Sequence, residues 1–175
     1  MREMKYDVLS CPSGSAVVVE CDGSIRQVLL LESGKGPDAA LLKLSKKGIL
    51  AKKGKLERRL YEWFEAYERR IPPGKPTFRL EPDGTEFQLR VWQRTLEIPY
   101  GDVLTYGQMA ADIGCASAQA IGQALGRNPI PLIIPCHRII AAGMNIGGFT
   151  GGLSIKTALL KHEGWTTING AISRR

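Results

Sequence analysis

The chain has 175 residues, of which 43% are hydrophobic, enough apolar material for one large globular domain or two small ones. No stretch approaches the roughly 20 apolar residues of a membrane span, and Met1-Arg2-Glu3-Met4-Lys5-Tyr6-Asp7 carries charges where a signal peptide needs an apolar run, so a soluble cytoplasmic protein with no membrane partner is expected. The net charge of +7 and pI near 9.4 create a field that favours polyanions without naming one.

Residues 4 to 10 and 15 to 21 read as a hairpin about Pro12-Ser13-Gly14, and Asp22-Gly23-Ser24 turns the chain into Val28-Leu29-Leu30-Leu31, giving an antiparallel meander. In that hairpin Cys11 sits at the turn and Cys21 at the far end, roughly 20 Å apart and out of disulfide reach. The chain has only two histidines, His137 and His162, so a Cys/His metal site near the amino terminus lacks ligands and no metal is expected. Leu56, Leu60, Trp63, Phe64 and Tyr67 recur at helical spacing between charged residues, the pattern of an amphipathic helix laid on a sheet with its aromatics in the core. Pro72-Pro73-Gly74-Lys75-Pro76 stops it, which puts a connector at about 71–84 between an α+β part, 1–80, and a mostly helical part, 85–175.

Thr85 can cap a helix through Leu96, closed by Ile98-Pro99-Tyr100-Gly101. Thr105 caps a short helix from Tyr106 to Ile113 that ends at Gly114, and Ser117 opens another to about Arg127. Two short helices joined by a tight turn form a helix-turn-helix candidate. The second is slim, with Ala116, Ala118, Ala120, Gly122, Ala124 and Gly126, and a helix this bare can approach DNA closely, even in a minor groove, although small residues also permit close helix packing.

Pro131-Leu132-Ile133-Ile134 and Ile139-Ile140 read as buried strand on either side of Pro135-Cys136-His137-Arg138, so Cys136 looks like a nucleophile held by rigid supports. A buried thiol keeps its proton unless a base is near. His137 is adjacent, but successive side chains of an extended backbone point to opposite faces, so a bridging water or a kink after Pro135 is required. Glu163, at the end of a last helix from Ser154 and just before Gly164, can orient His137, with His162 competing for that role.

Together, Arg127-Asn128-Pro129-Ile130-Pro131, Pro135-Cys136-His137-Arg138 and Gly147-Gly148-Phe149-Thr150-Gly151-Gly152-Leu153 resemble the O6-alkylguanine-DNA alkyltransferases, also called methylated-DNA–protein-cysteine methyltransferases. The resemblance runs from about Phe87 to Gly164 and includes Ile98-Pro99-Tyr100-Gly101 and Thr105-Tyr106-Gly107-Gln108. It implies an α+β fold: a ribonuclease-H-like amino-terminal domain, then a helix-turn-helix domain resembling a winged helix. It also implies a monomer that acts without cofactor on double-stranded DNA containing O6-alkylguanine, bound through the minor groove, and a single irreversible alkyl transfer to the cysteine.

On the same resemblance Cys136 is the alkyl acceptor, His137 its water-mediated base, Glu163 the orienting carboxylate, and Tyr106 the donor to a guanine ring nitrogen. Asn128 ties the recognition helix to the active-site strand through backbone hydrogen bonds, and Lys156 matches the active-site lysine. The Gly147–Gly152 loop with Phe149 forms the lid of the guanine pocket, the Thr150 N–H faces O6, and the Cys136 and Ile139 carbonyls receive the guanine amine. DNA contacts fall on Thr105, Tyr106, Ala116, Ser117, Ala118, Gln119, Ala120, Gly122, Gln123 and Arg127. Gln119 stands where the family usually has an intercalating arginine, and glutamine lacks the cation and planar fork of that residue. The rival readings are a catalytically silent lesion-binding protein that recruits other repair factors, a Cys-His hydrolase that turns over, and a DNA-binding regulator without chemistry.

Overall fold

A computed structural model of the chain describes residues 4–174. Met1, Arg2 and Glu3, on which the expectation about a signal peptide partly rests, and Arg175 lie outside the described residues. The architecture is mixed α+β. Strands β1 (Met4–Cys11), β2 (Gly14–Cys21) and β3 (Ser24–Glu32) form the expected meander, and its second turn puts Asp22 and Gly23 at φ 50° and 76°, the left-handed backbone that a two-residue hairpin needs. Cys11 pairs with Gly14 and Met4 with Cys21, so the two cysteines lie at opposite ends of the hairpin, both free. The short strands β4 (Lys52–Lys53) and β5 (Arg79–Leu80) join in parallel at either edge, in the order β4-β1-β2-β3-β5.

Both faces of this sheet are covered, which explains why Ala16 to Val19 of β2 read as an unbroken apolar run. Val17 and Val19 pack on α1 (Asp38–Lys46) through Ala40 and Leu44. Ala16 and Val18 point the other way, into a cluster with Leu60, Trp63, Phe64 and Tyr67 of α2 (Arg58–Glu68), the amphipathic helix that its spacing predicts.

Beyond the connector, α3 (Glu86–Thr95) and α4 (Tyr106–Asp112) both start with a capping box, Thr85 with Gln88 and Thr105 with Gln108. Ser117 Oγ accepts from Ala120 N at 3.1 Å to cap α5 (Ala118–Gly126). A two-residue strand β6 (Leu104–Thr105) pairs in parallel with β7 (Ile139–Ile140), and α6 (Leu153–His162) is followed by the hairpin β8 (Trp165–Ile168) and β9 (Ala171–Arg174). The sequence reading assigns nothing to α1 or to this last hairpin. Among the described residues no helix is long and apolar enough to cross a membrane.

One expectation is corrected. The residues before Cys136 are not a strand: Pro131 and Ile134 form an isolated bridge within a turn, Leu132 adopts φ 76°, and Cys136–Arg138 is a single 3-10 turn. Two prolines within five residues remove the amide donors that a ladder would need, so the apolar run is buried as a folded loop. The main apolar cluster spans both sides of the connector, joining Leu60, Phe64 and Tyr67 to Val91, Trp92, Ile121, Leu125 and Ile139. Trp92, 1% exposed, also donates from its indole N–H to Ala124 O at 2.9 Å, which fixes α5 on α3. Trp92→Phe is expected to lower stability by about 1–3 kcal/mol, from a cavity and a lost buried hydrogen bond, measured by urea denaturation.

Candidate active site around Cys136

The 3-10 turn decides how Cys136 meets its neighbours. Pro135 (φ −81°, ψ 60°) breaks the extended course of the chain, so Cys136 and His137 do not alternate across a strand, and both are buried. Asn128, just past α5, braces the loop that leads into this turn: its Nδ2 donates to Ile134 O at 3.0 Å and its Oδ1 accepts from Ile130 N at 3.0 Å. One side chain thus spans the strained residue Leu132 and sets the height of Cys136.

His137, 0% exposed, bonds Glu163 Oε1 through Nε2 at 2.8 Å. Glu163 also accepts from Arg138 Nε at 2.9 Å, Arg138 Nη2 at 2.9 Å, Tyr67 OH at 2.6 Å and the Gly101 amide at 3.1 Å. Burial alone would raise the Glu163 carboxyl, but His137 and Arg138 outweigh it and hold the group well below the usual carboxylate range. An ionised carboxylate only accepts, so the His137 proton resides on Nε2 and Nδ1 presents a lone pair that has no protein hydrogen-bond partner. Burial keeps His137 neutral, against the pull of Glu163.

Burial pushes the Cys136 thiol up to about 11, opposed by hydrogen bonding from Asn128 and by the Lys156 charge. Lys156, itself 0% exposed, is not a solvated helix lysine: its Nζ donates to Ile139 O at 2.6 Å and Gly148 O at 3.1 Å, and burial lowers it to about 8. The Ile139 carbonyl therefore already accepts from Lys156, and the Cys136 carbonyl accepts from the Ile139 amide. Tyr106 stands at the start of α4 with its hydroxyl 3.3 Å from Gly148 O, and burial raises its phenol. Gly147 is needed there, since at φ 69° a Cβ would stand 3.1 Å from the Tyr106 ring.

These groups open onto a cleft of about 990 Å³. Cys136, Tyr106, Asn128, Phe149 and Thr150 line it, as do Gly122, Leu125, Gly126 and Arg127 from α5. His137, Glu163 and Lys156 lie outside the lining, buried. Thr105 serves as the α4 cap, while Ala116, Ser117, Ala118, Gln119 and Gln123 form an exposed face of the helix-turn-helix, with Ala120 half-buried. His162 does not join the relay: its Nε2 meets Tyr67 O at 2.6 Å and its ring stacks on Tyr67. Sequence reasoning overlooks Arg138 and Tyr67. A buried arginine inside the Pro-Cys-His-Arg run was the available signal, because it requires a buried anion.

Residues 86–165 match the family model of the DNA-binding domain of 6-O-methylguanine DNA methyltransferase. A methylated-DNA–protein-cysteine methyltransferase of Methanosarcina acetivorans is 52% identical over 87 residues, 49% of this chain and 56% of that protein. One from Mycobacterium leprae is 49% identical over 89 residues, 49% of this chain and 54% of that protein. The crystal structure of Mycobacterium tuberculosis O6-methylguanine methyltransferase superposes with a TM-score of 0.75 at 30% identity, covering 91% of this chain and 92% of that one. The chain belongs to the O6-methylguanine-DNA methyltransferase family. Its sequence match spans about half the length of these curated relatives, whereas the structural match takes in nearly the whole chain. A structure of the M. tuberculosis protein in complex with DNA superposes equally well, with a TM-score of 0.75. The family model covers α3 to the end of α6, and so contains every residue of the relay except Tyr67, which reaches Glu163 from outside it.

Glu163→Gln is expected to cost about 3–5 kcal/mol, because it leaves Arg138 buried without its anion. The pH dependence has a definite sign. The folded carboxyl lies below its ordinary value of 4.5, so its stabilisation is complete above that value and is lost as pH falls towards the folded value. Urea midpoints followed from neutral pH to pH ~3 should show a shallower acid decline in Glu163→Gln than in the wild type.

Proposed function

We propose that this protein repairs DNA by direct reversal, taking the alkyl group from guanine O6 onto Cys136 once and irreversibly. The observation that carries this reading is a buried thiol next in sequence to a histidine whose imidazole is oriented by an ionised carboxylate, with the thiol on a cleft one wall of which is the slim helix α5. The finer description of the fold goes with it: a ribonuclease-H-like first part, 1–80, and a winged-helix-like second part, 85–175. α5 approaches the duplex from the minor groove as a monomer, and a guanine inside the stack reaches Cys136 only if its nucleotide is flipped out. The protein acts in the cytoplasm and needs no cofactor.

The thiol proton passes through a water to His137 Nδ1, whose lone pair has no protein partner. The thiolate attacks the alkyl carbon, an S–C bond forms and the C–O6 bond breaks, and its electron pair stays on guanine. Tyr106 gives guanine a proton, and the proton held by His137 balances it. Lys156 stabilises the thiolate through its charge and fixes the lid by holding Gly148 O. Thr150, whose Oγ donates to Gly126 O at 3.1 Å, joins the lid to α5, so the pocket that binds guanine moves with the helix that delivers it. An alkyl group added to the buried Cys136 sulfur strains the Asn128 brace, which links repair to loss of stability.

Weighing the intact protein after incubation with a duplex containing O6-methylguanine tests the reading. One alkyl adduct on Cys136, absent in Cys136→Ala, is the expected result; repeated turnover would indicate a hydrolase, and binding without an adduct a silent lesion-binding protein. Gln119 is exposed on α5 and still inserts into the stack, with a weaker hold than arginine. Gln119→Arg should therefore raise the rate on duplex DNA by about tenfold, a difference near 1.4 kcal/mol. The rate with free O6-benzylguanine, which needs no flipping, should change far less, and equal changes on both substrates would refute the role of Gln119.

A further inference from the structure

The positive charge of this chain is not where the helix-turn-helix is. Tyr106–Gly126, which contains α4 and α5, has one formal charge, Asp112, and that residue is paired with Arg94 at 2.5 Å. Residues 39–56 instead contain six lysines and no acidic residue, so six of the seven net charges lie in a stretch that runs from just after Asp38, the first residue of α1, through β4. All six lysines are exposed, and among the described residues none forms an ion pair. Ordinarily such a run is a solvated face, and Lys43 and Lys46 also suit the last turn of α1.

Two of them differ from the other four. Lys43 and Lys47, one helical turn apart, line the same cleft as Cys136, and Arg127 lies on its lining at the end of α5. The lining thus has three cations and no carboxylate. The same lining includes Leu29, Leu30 and Leu31 of β3, whose outer edge is paired with β5 only at Ser24 and Ile25. A cleft that gathers unpaired cations around an apolar floor fits a polyanion with an apolar part, and a nucleic acid backbone is such a ligand.

We propose that the Lys43–Lys47 face of α1 is a phosphate-binding wall for the same duplex whose base enters the Cys136 cleft. The inference rests on the reading of the protein as a DNA-repair methyltransferase. It assigns the backbone attraction to the amino-terminal part of the chain, leaving α5 free of charge to lie close to the bases. Arg127 and the two lysines hold phosphates at the lining of the cleft.

The test is the salt dependence of binding to an undamaged duplex, read by fluorescence anisotropy on the full chain, so it stays readable even if no alkyl group is ever transferred. Each lost phosphate contact lowers the slope of log K against log salt by about 0.9, so Lys43→Gln with Lys47→Gln should reduce it by about 2. Lys52→Gln with Lys53→Gln, outside the cleft, should change it by less than half as much, and Lys43→Arg with Lys47→Arg should keep it. Thermal melting reports folding of each variant, and the arginine pair keeps the test valid if the glutamine pair melts early. An unchanged slope in the Lys43/Lys47 glutamine pair would overturn the proposal. So would equal losses in both glutamine pairs, which would mean a diffuse field, or a stoichiometry of two duplexes per protein, which would mean a separate DNA site.

Discussion

The carboxylate of Glu163 is buried and receives hydrogen bonds from His137, Arg138, Tyr67 and the Gly101 amide. A buried carboxylate without partners would cost several kcal/mol, and so would a buried guanidinium, so neither is tolerable until the other arrives. Those partners come from α2, from the segment after α3, and from the 3-10 turn that holds Cys136, while Glu163 closes α6. Satisfying one charge therefore fixes four parts of the chain at once. Arg138 extends the constraint by donating to Ile98 O at 2.7 Å, which locks the Ile98-Pro99-Tyr100-Gly101 corner to the same point. The amino-terminal part is thus joined to the site through a hydrogen bond to its orienting carboxylate, as well as through apolar packing.

This hub also governs the nucleophile. Since Glu163 stays ionised, His137 keeps a fixed tautomer with a free lone pair, and since His137 is neutral it can accept a proton. Burial holds the Cys136 thiol near 11 and brings Lys156 to about 8, so in the resting protein the sulfur is protonated and shielded. Low thiolate content and low exposure are what protect a cysteine from oxidation. In the proposed single-turnover reaction such protection matters more than it would for a residue that is regenerated. The cost is slow attack, and Lys156 and Asn128 offset it by stabilising the anion where it forms.

Much of this was legible from local signals. Thr85, Thr105 and Ser117 announced three helix starts because a side-chain cap depends on residues within one turn, and the spacing of Leu60, Trp63, Phe64 and Tyr67 gave the buried face of α2 for a similar reason. The final hairpin is equally local: Asn169-Gly170, with φ of 48° and 82°, is a strong turn signal between two β-rich runs. The loop before Cys136 differs. Its apolar residues are buried as strand residues would be, and burial alone does not reveal backbone shape. Asn128 makes the loop possible by bonding to residues two and six positions on, and Tyr67 reaches Glu163 across 96 residues. Contacts of that span are set by the whole fold, and no periodicity encodes them.

The same distinction between local and assembled features bears on recognition. α5 is slim and uncharged, qualities suited to shape and close approach, but an uncharged helix gains little from the phosphates that supply most nonspecific affinity for nucleic acid. Gln119, exposed on α5, adds no cation to that surface. The chain compensates only if its cations approach the cleft from elsewhere, and α1 is the element that brings them, one helical turn apart on a face that shares its lining with Cys136. Here α1 packs through Ala40 and Leu44 onto Val17 and Val19, so the lysines are held by a rigid sheet and not by a loop. Affinity and chemistry then become separable functions of two parts of the chain, joined by the cleft between them. Under that proposal the helix facing the bases is free to be optimised for fit alone, because α1 would carry the charge that keeps the duplex in place.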